Sequence, residues 1–436
     1  MPHSVRIPIN NTYAKGGYCA RVHIGHHQHP VNLVLDTGSS TLAVHNGSYK
    51  PEHDTTLQPT SLAQDVIYGK GGWYGPVVTT RVRMGLPGHS AALNKVKVAV
   101  TCKEQAQSFV DADGILGLAY SGLNPAYDLE QYLQANQVSP AHSYPFLMNA
   151  AQQDKSVHQY RQFLHQYPRR QLTPYFTQLE EQGVVANQFA LLTHRSSIYQ
   201  TDSCCPLAKL AAHHLNQGLF VLGKPKLHLD LYREPFRSIK VLDDKYYNVE
   251  LLGLQLGEGQ SLEAPRLQSN EQPGYRTNAI IDSGSTLVVL PQALFQALME
   301  QFYAINPDFQ ALLAPFQTFS GEEAGIPLAK LNLSDWPPLH LDFTGEQGMP
   351  VRLTLKPETY WQAHAPKSNQ AYFKITTVPD WPNQSILGLP LLNNYYCLFD
   401  RSTGGTGTIR FATKRDFSGH LLGHLSKEFS HLKPDN

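Results

Sequence analysis

One short pattern occurs twice in this chain: an apolar run, then Asp, a small hydroxyl residue, Gly and Ser. The first copy is Val31-Asn32-Leu33-Val34-Leu35-Asp36-Thr37-Gly38-Ser39-Ser40, and the second is Ala279-Ile280-Ile281-Asp282-Ser283-Gly284-Ser285-Thr286. The copies lie in opposite halves, so the repeat is a feature of the whole fold rather than of one loop. An apolar run ending in Asp-x-Gly reads as a buried strand that delivers a carboxylate at a tight turn. Each copy is followed much later by a second echo, Ile115-Leu116-Gly117-Leu118 and Ile386-Leu387-Gly388-Leu389. A glycine inside such a strand implies close backbone approach. Two halves on one plan, each presenting an Asp at the same point, predict a pair of carboxylates that can face one another.

The composition permits such a fold and excludes several others. At 436 residues the chain can build a large core, and its length suggests two domains. Lys+Arg and Asp+Glu number 35 each, so nothing in the charge balance attracts nucleic acid or an anionic membrane. Short runs rich in Val, Thr, Tyr and Ile, punctuated by 32 Gly and 30 Pro, read as mostly β. The five cysteines are odd in number, two of them adjacent, and suggest neither a disulfide framework nor a CxxC metal site. A reducing, cytoplasmic location is the simpler expectation. If residue 1 is a processed start, the chain is instead secreted. No stretch approaches the ~20 apolar residues of a membrane helix.

Along the chain, residues 12 to 45 read as strand, turn, strand, with a His-rich loop from His23 to His29. A metal site is conceivable there, but a solvated turn is the simpler reading, because no Cys or acidic cluster stands beside it. Asp65 to Val82 reads as a β-hairpin whose tip, Tyr68-Gly69-Lys70-Gly71-Gly72-Trp73, is rich in glycine and aromatics. One or two surface helices are expected around Ala150 to Tyr167. A shorter one is expected over Thr173 to Gly183, with Pro174 near its first turn and Gly183 as its stop. Beyond Lys414, the residues Phe417, Leu421, Leu422, Leu425 and Phe429 fit a helical stripe.

Two carboxylates at hydrogen-bond distance cannot both ionise, so they share one proton and titrate as a unit. The charged member can act as general base on a trapped water; the protonated member can hydrogen-bond a carbonyl and then supply a proton to a leaving amine. This chemistry needs no metal and no cofactor. Gly38 and Gly284 let the backbone pass close to the carboxylates and donate N–H groups. Ser39 and Ser285 are expected to hydrogen-bond the outer oxygens of Asp36 and Asp282, which would lower the pair's apparent pKa and favour an acidic optimum. Thr37 and Ser283 are expected to point inward and tie the two turns together.

The two Asp motifs, the Ile67-Tyr68-Gly69 hairpin, Asp113-Gly114-Ile115-Leu116-Gly117-Leu118-Ala119-Tyr120, Thr173-Pro174-Tyr175-Phe176 and Ile386-Leu387-Gly388 occur in one order. In that order they resemble the pepsin-like aspartic proteases through most of residues 12 to 412. The resemblance implies a mostly β, bilobal fold: two six-stranded-type β lobes, a central cleft and a few short helices. It implies an N-terminal lobe over 1–222 carrying Asp36 and the flap, and a C-terminal lobe over 223–436 carrying Asp282 plus a helical tail. It implies a catalytic dyad of Asp36 and Asp282, with Tyr68 and Gly69 on a flap that closes over an extended polypeptide substrate and excludes water. Tyr68, Leu118 and Ile281 are expected to line pockets for bulky apolar groups at the scissile bond. A monomer is expected.

The chain also departs from the family's pattern. Ala43 stands where Asp-Thr-Gly-Ser-Ser-x-Leu-Trp-Val carries a Trp that supports the flap Tyr, and Trp73 on the hairpin is a candidate replacement. Lys70 at the flap tip is expected to be exposed. The family's disulfide positions are mostly empty and no basic prosegment precedes Asp36. In this the chain resembles the prosegment-less bacterial pepsin homologues of the shewasin type. The segment 141–170 and the tail beyond Ala412 have no family counterpart. The main alternative to an endopeptidase is a catalytically silent peptide-binding protein on the same fold; such relatives lose an Asp or its Gly, and both are present here. A two-carboxylate glycosidase needs carboxyl groups roughly 5–9 Å apart, which the symmetric repeat argues against.

Overall fold

The structure, a computed structural model, describes residues 4–415 apart from 27–28, 69–70, 87, 106–108, 110, 150–154, 203–204, 273 and 319–323. The helical stripe expected beyond Lys414, from Phe417 to Phe429, therefore lies outside the described residues. The protein is mostly β with a few short helices. It divides into two compact units, one of Met1–Ile7 with Cys19–Ala186, the other of Pro8–Tyr18 with Asn187–Asn436.

In the first unit, Gly17–Ile24 and His29–Asp36 pair antiparallel, in register from Cys19↔Val34 to Ile24↔His29. The turn between them is anchored by Asp54, whose Oδ1 accepts from the His26 amide at 2.8 Å and the Thr56 hydroxyl at 2.7 Å. Burial pushes the Asp54 carboxyl up, and donors from Thr56, Thr80, Tyr49 and His26 outweigh it, bringing it down to about 2. The His-rich loop reaches 27–28, outside the described residues. Among the described residues, no group of three or more His, Cys, Asp or Glu side chains could hold a metal ion.

From the Asp36 strand the sheet continues through Gly114–Gly117, parallel to it, then Leu42–His45, antiparallel, then His89–Thr101, parallel. Gly71–Leu86 follows and closes the sheet on itself through Val22↔Met84. Val31, Leu33 and Leu35 alternate onto one buried face, as the period of two requires. The expected hairpin is longer than its sequence signal: Gln58–Tyr68 pairs with Gly71–Leu86 down to Tyr68↔Gly71.

The expected helix over 150–167 runs from Val157 to Leu164. Its start is set by a capping box in which Ser156 and Gln159 satisfy each other's amides at 3.1 and 2.9 Å. It is not a free surface helix, because Val157, Tyr160 and Leu164 are buried. The later helix spans Tyr175–Glu181, with Pro174 at its start and Gly183 in a left-handed turn at φ +68°.

In the second unit, one sheet runs Asn248–Val249, Ala279–Ile281, Ser385–Leu387, Val288–Val289 and Ile375–Thr376. Another ladder runs Gln217–Leu222, Gln188–Leu192, Tyr395–Asp400, Thr408–Lys414 and Tyr232–Lys240. The strands Gln188–Leu192 and Gln217–Leu222 fall in this unit because the first pairs with Tyr395–Asp400 along its whole length. The boundary between the two units follows Ala186. The longest helix among the described residues, Gln292–Ile305, buries Leu294, Phe295, Leu298, Met299 and Phe302.

Candidate active site

Asp36 closes a strand whose parallel neighbour ends level with it, at Asp36↔Gly117. The neighbour's next amide, Leu118 N–H, donates to the Asp36 carbonyl at 2.7 Å, so the backbone is held just where the carboxylate leaves it. The chain then turns sharply, and Gly38 N–H donates to Asp36 Oδ1 at 2.7 Å. Gly117 N–H donates to Thr41 O at 2.9 Å and Ala119 N–H to Ser39 O at 2.8 Å, stitching the turn onto the passing strand. The approach is so close that a Cβ on Gly117 would sit 2.4 Å from the Ser40 Cα. Ser40 adds a hydroxyl bond to the Tyr120 carbonyl, and Thr41 Oγ1 donates to Asn124 Oδ1 at 3.1 Å. Asp36 and Thr37 are buried.

The second unit repeats this arrangement with other residues. Ala279–Ile281 runs parallel to Ser385–Leu387, and Asp282 N–H donates to Leu387 O at 3.1 Å. Gly284 N–H donates to Asp282 Oδ1 at 2.8 Å. Val288–Val289 returns antiparallel to Ser385–Leu387 and parallel to Ile375–Thr376, the order already seen around Asp36. A Cβ on Gly388 would meet the Ser285 and Leu287 carbonyl oxygens at 2.3 Å each. In each unit, then, an aspartate is presented by a parallel strand pair, and a glycine amide pins one of its oxygens. A second glycine from the passing strand makes room for the turn.

The two serines depart from expectation. The Ser39 hydroxyl is buried and makes no hydrogen bond. The Ser285 hydroxyl is spent locally, donating to Leu287 O at 3.0 Å and accepting from Leu287 N at 3.3 Å. Neither reaches the outer oxygen of its aspartate: Ser285 closes a local ring on Leu287 instead, and packing turns Ser39 away. Leu118 and Ile281, expected to line pockets, have no exposed surface. Ile281 ends a paired strand and Leu118 directly follows one, and both face the core, so they can support a pocket wall but not form its surface. Tyr68 ends the strand Gln58–Tyr68; Gly69 and Lys70 lie outside the described residues.

Trp73 resolves the Ala43 departure. It is wholly buried in one cluster with Ala43, Ala99, Phe109 and Ile115, and Val34 and Val66 pack against it. The indole stands 6.2 Å from the Phe109 ring. The bulk missing at Ala43 on the scaffold is therefore supplied from the hairpin.

A mostly β protein with two units, each presenting an Asp-x-Gly turn on a parallel strand pair, has the framework of an aspartyl protease. The chain belongs to that family: the model described as eukaryotic aspartyl protease matches residues 17–158 and 207–414. It is also similar to a beta-secretase from Strongylocentrotus purpuratus, at 22% identity over 414 residues covering 90% of this chain. The chain spans 66% of that relative's own length.

Proposed function

We propose that the protein is an aspartic endopeptidase in which Asp36 and Asp282 share a proton and activate a water for attack on a peptide carbonyl. The observation that carries this reading is the matched pinning of one carboxylate oxygen in each unit, by Gly38 N–H at 2.7 Å and Gly284 N–H at 2.8 Å. An amide donor stabilises the ionised form of the oxygen it faces. It leaves the other oxygen of each carboxyl to hold the shared proton and the water. The dyad's charged form takes a proton from the water as the oxygen attacks; its protonated form donates to the carbonyl, and the leaving amine receives the proton at collapse. Thr37 and Ser283, both buried, tie the turns together in this reading. Tyr68 at the hairpin tip closes over the substrate.

The substrate would be an extended polypeptide with bulky apolar groups at the scissile bond, cut best at acidic pH. Free thiols at Cys19, Cys102, Cys205 and Cys397 support a reducing compartment, as in the shewasin type. No helix among the described residues is long and apolar enough to cross a membrane. The test is digestion of a denatured protein across a pH series, with and without a pepstatin-type inhibitor whose hydroxyl mimics the tetrahedral intermediate. Acid-favoured, inhibitor-sensitive and EDTA-resistant cleavage is expected. Activity that persists at saturating inhibitor, or that EDTA removes, would refute the dyad.

A further inference from the structure

The stem of the hairpin Gln58–Tyr68/Gly71–Leu86 is covered on both faces at Asp65–Val66 and Trp73–Tyr74. Its register pairs Asp65 with Tyr74, Val66 with Trp73 and Ile67 with Gly72. Alternation sends Val66 and Trp73 to the cluster around Ala43. The opposite face meets the helix Val157–Leu164. There Tyr74 stacks on Tyr160 with ring centres 3.8 Å apart and planes 14° from parallel. Val157 lies so close to Gly72 that a Cβ there would come within 3.2 Å of its Cγ1. Ala63, Tyr74, Val157, Tyr160 and Leu164 belong to one buried cluster.

On this same face sits Asp65, three residues before Tyr68. Its side chain is 3% exposed, yet it carries a carboxylate. His165 Nε2 stands 3.4 Å from its Oδ1, and Arg161 Nε stands 3.8 Å from its Oδ2. Arg161 and His165 are four residues apart and so share one face at the end of the helix. His165 is itself held by stacking on Tyr127, 4.6 Å between ring centres. Burial raises the Asp65 carboxyl, and His165 and Arg161 offset that push only in part. A buried carboxylate on a strand is unfavourable without countercharge, so its presence ties the strand to whatever supplies that charge. Tyr160, Arg161 and His165 all fall between residues 158 and 207, the stretch the family model leaves unmatched. The hairpin lies inside the stretch that the family model matches, as does 141–158 of the segment expected to lack a counterpart; most of the helix that supports the hairpin lies outside it.

We propose that the helix Val157–Leu164 and the turn after it form a strut that sets the resting position of the hairpin carrying Tyr68, with Asp65 as the positioning residue that Arg161 and His165 hold. The proposal deepens the proteolytic reading and rests on it only for the hairpin's role as a lid over a peptide.

The test is hydrogen exchange on the full chain. Arg161→Ala with His165→Ala leaves the Asp65 charge buried and alone, at two positions that are themselves 41% and 40% exposed. Amide exchange over 64–68 and 72–75 is expected to rise about tenfold, with Gly114–Gly117 and Ala279–Ile281 unchanged. Adding Asp65→Asn removes the charge and is expected to restore protection. On a peptide substrate the double variant is expected to raise KM about tenfold while kcat stays within about twofold. Unchanged hairpin exchange in the double variant, or a loss that Asp65→Asn fails to reverse, overturns the strut. Should the double variant not fold, Arg161→Gln alone carries the same readout. The exchange arm needs no catalysis, so it decides the strut even if the unaltered chain cleaves nothing.

Discussion

The Asp36 turn and the Asp282 turn share a backbone but not their surroundings. Both have a parallel strand alongside, an antiparallel return, a glycine amide on one carboxylate oxygen and a squeezed glycine on the passing strand. They differ in almost everything that packs next to them. Around Asp36, the serine after the glycine has a buried, unbonded hydroxyl. The strand three places over is the long His89–Thr101, and the hairpin lies beyond it. Around Asp282, the matching serine closes a local ring on Leu287, and the strand three places over is only Ile375–Thr376. What is common to the two turns is what carboxylate presentation requires of a chain. What differs is free to specialise.

The largest test of that parity is removal of the carboxylates. Asp36→Ala and Asp282→Ala are each expected to abolish cleavage of a denatured protein at acidic pH, while circular dichroism stays native. A dyad acts as a unit, so one variant retaining substantial activity would break the equivalence. The next test is steric. Gly117→Ala and Gly388→Ala each drive a Cβ into backbone atoms at 2.4 and 2.3 Å. Both are expected to cost roughly 1–3 kcal/mol in urea unfolding; a cost at only one would show that the two turns are not packed alike.

Acid sharpens the comparison further. Each unit holds a histidine kept neutral: His23 is lowered to about 4 by burial, then Arg83 and Arg21, and His194 to about 3 by burial, then Lys414 and His214. The unfolded chain takes up these protons first, near pH 6.5. Both residues therefore stabilise the fold above that value, and their contribution falls away as pH drops toward 4 and 3. Thermal midpoints measured from pH 7 to 4 should decline, and His23→Asn or His194→Asn should flatten the decline. A flat profile in the unaltered chain would contradict both burials. The smallest contrast concerns the serines. Ser285→Ala should cost about 1 kcal/mol through its lost local bonds. Ser39→Ala, which removes a hydroxyl with no partner, should be neutral or slightly stabilising by the same measurement.

Much of the site was legible because it rests on short-range rules. An apolar run ending in Asp-x-Gly gave both aspartate turns, and alternating residues around a glycine-rich tip gave the hairpin. What escaped depends on long-range choices. Whether Ser39 turns to its aspartate or away is a rotamer decided by packing. The strands Gln188–Leu192 and Gln217–Leu222 look local to the first half, but they join the unit of Tyr395–Asp400, far along the chain. Leu118 and Ile281 looked suited to pockets because they neighbour the motifs, yet strand direction turns them into the core. The helix Gln292–Ile305 was legible and was passed over: Leu294, Phe295, Leu298, Met299 and Phe302 repeat at helical spacing. The partnership of Ala43 with Trp73 needed both residues to be read together.

That partnership has a thermal consequence. The indole belongs to the hairpin and its socket belongs to the scaffold. Any excursion of the hairpin wide enough to withdraw Trp73 therefore wets a large aromatic surface and the alanine-lined hollow it leaves. Such an opening would raise the heat capacity of the protein, as all exposure of apolar surface does. Its equilibrium would then curve with temperature instead of following a straight van 't Hoff line.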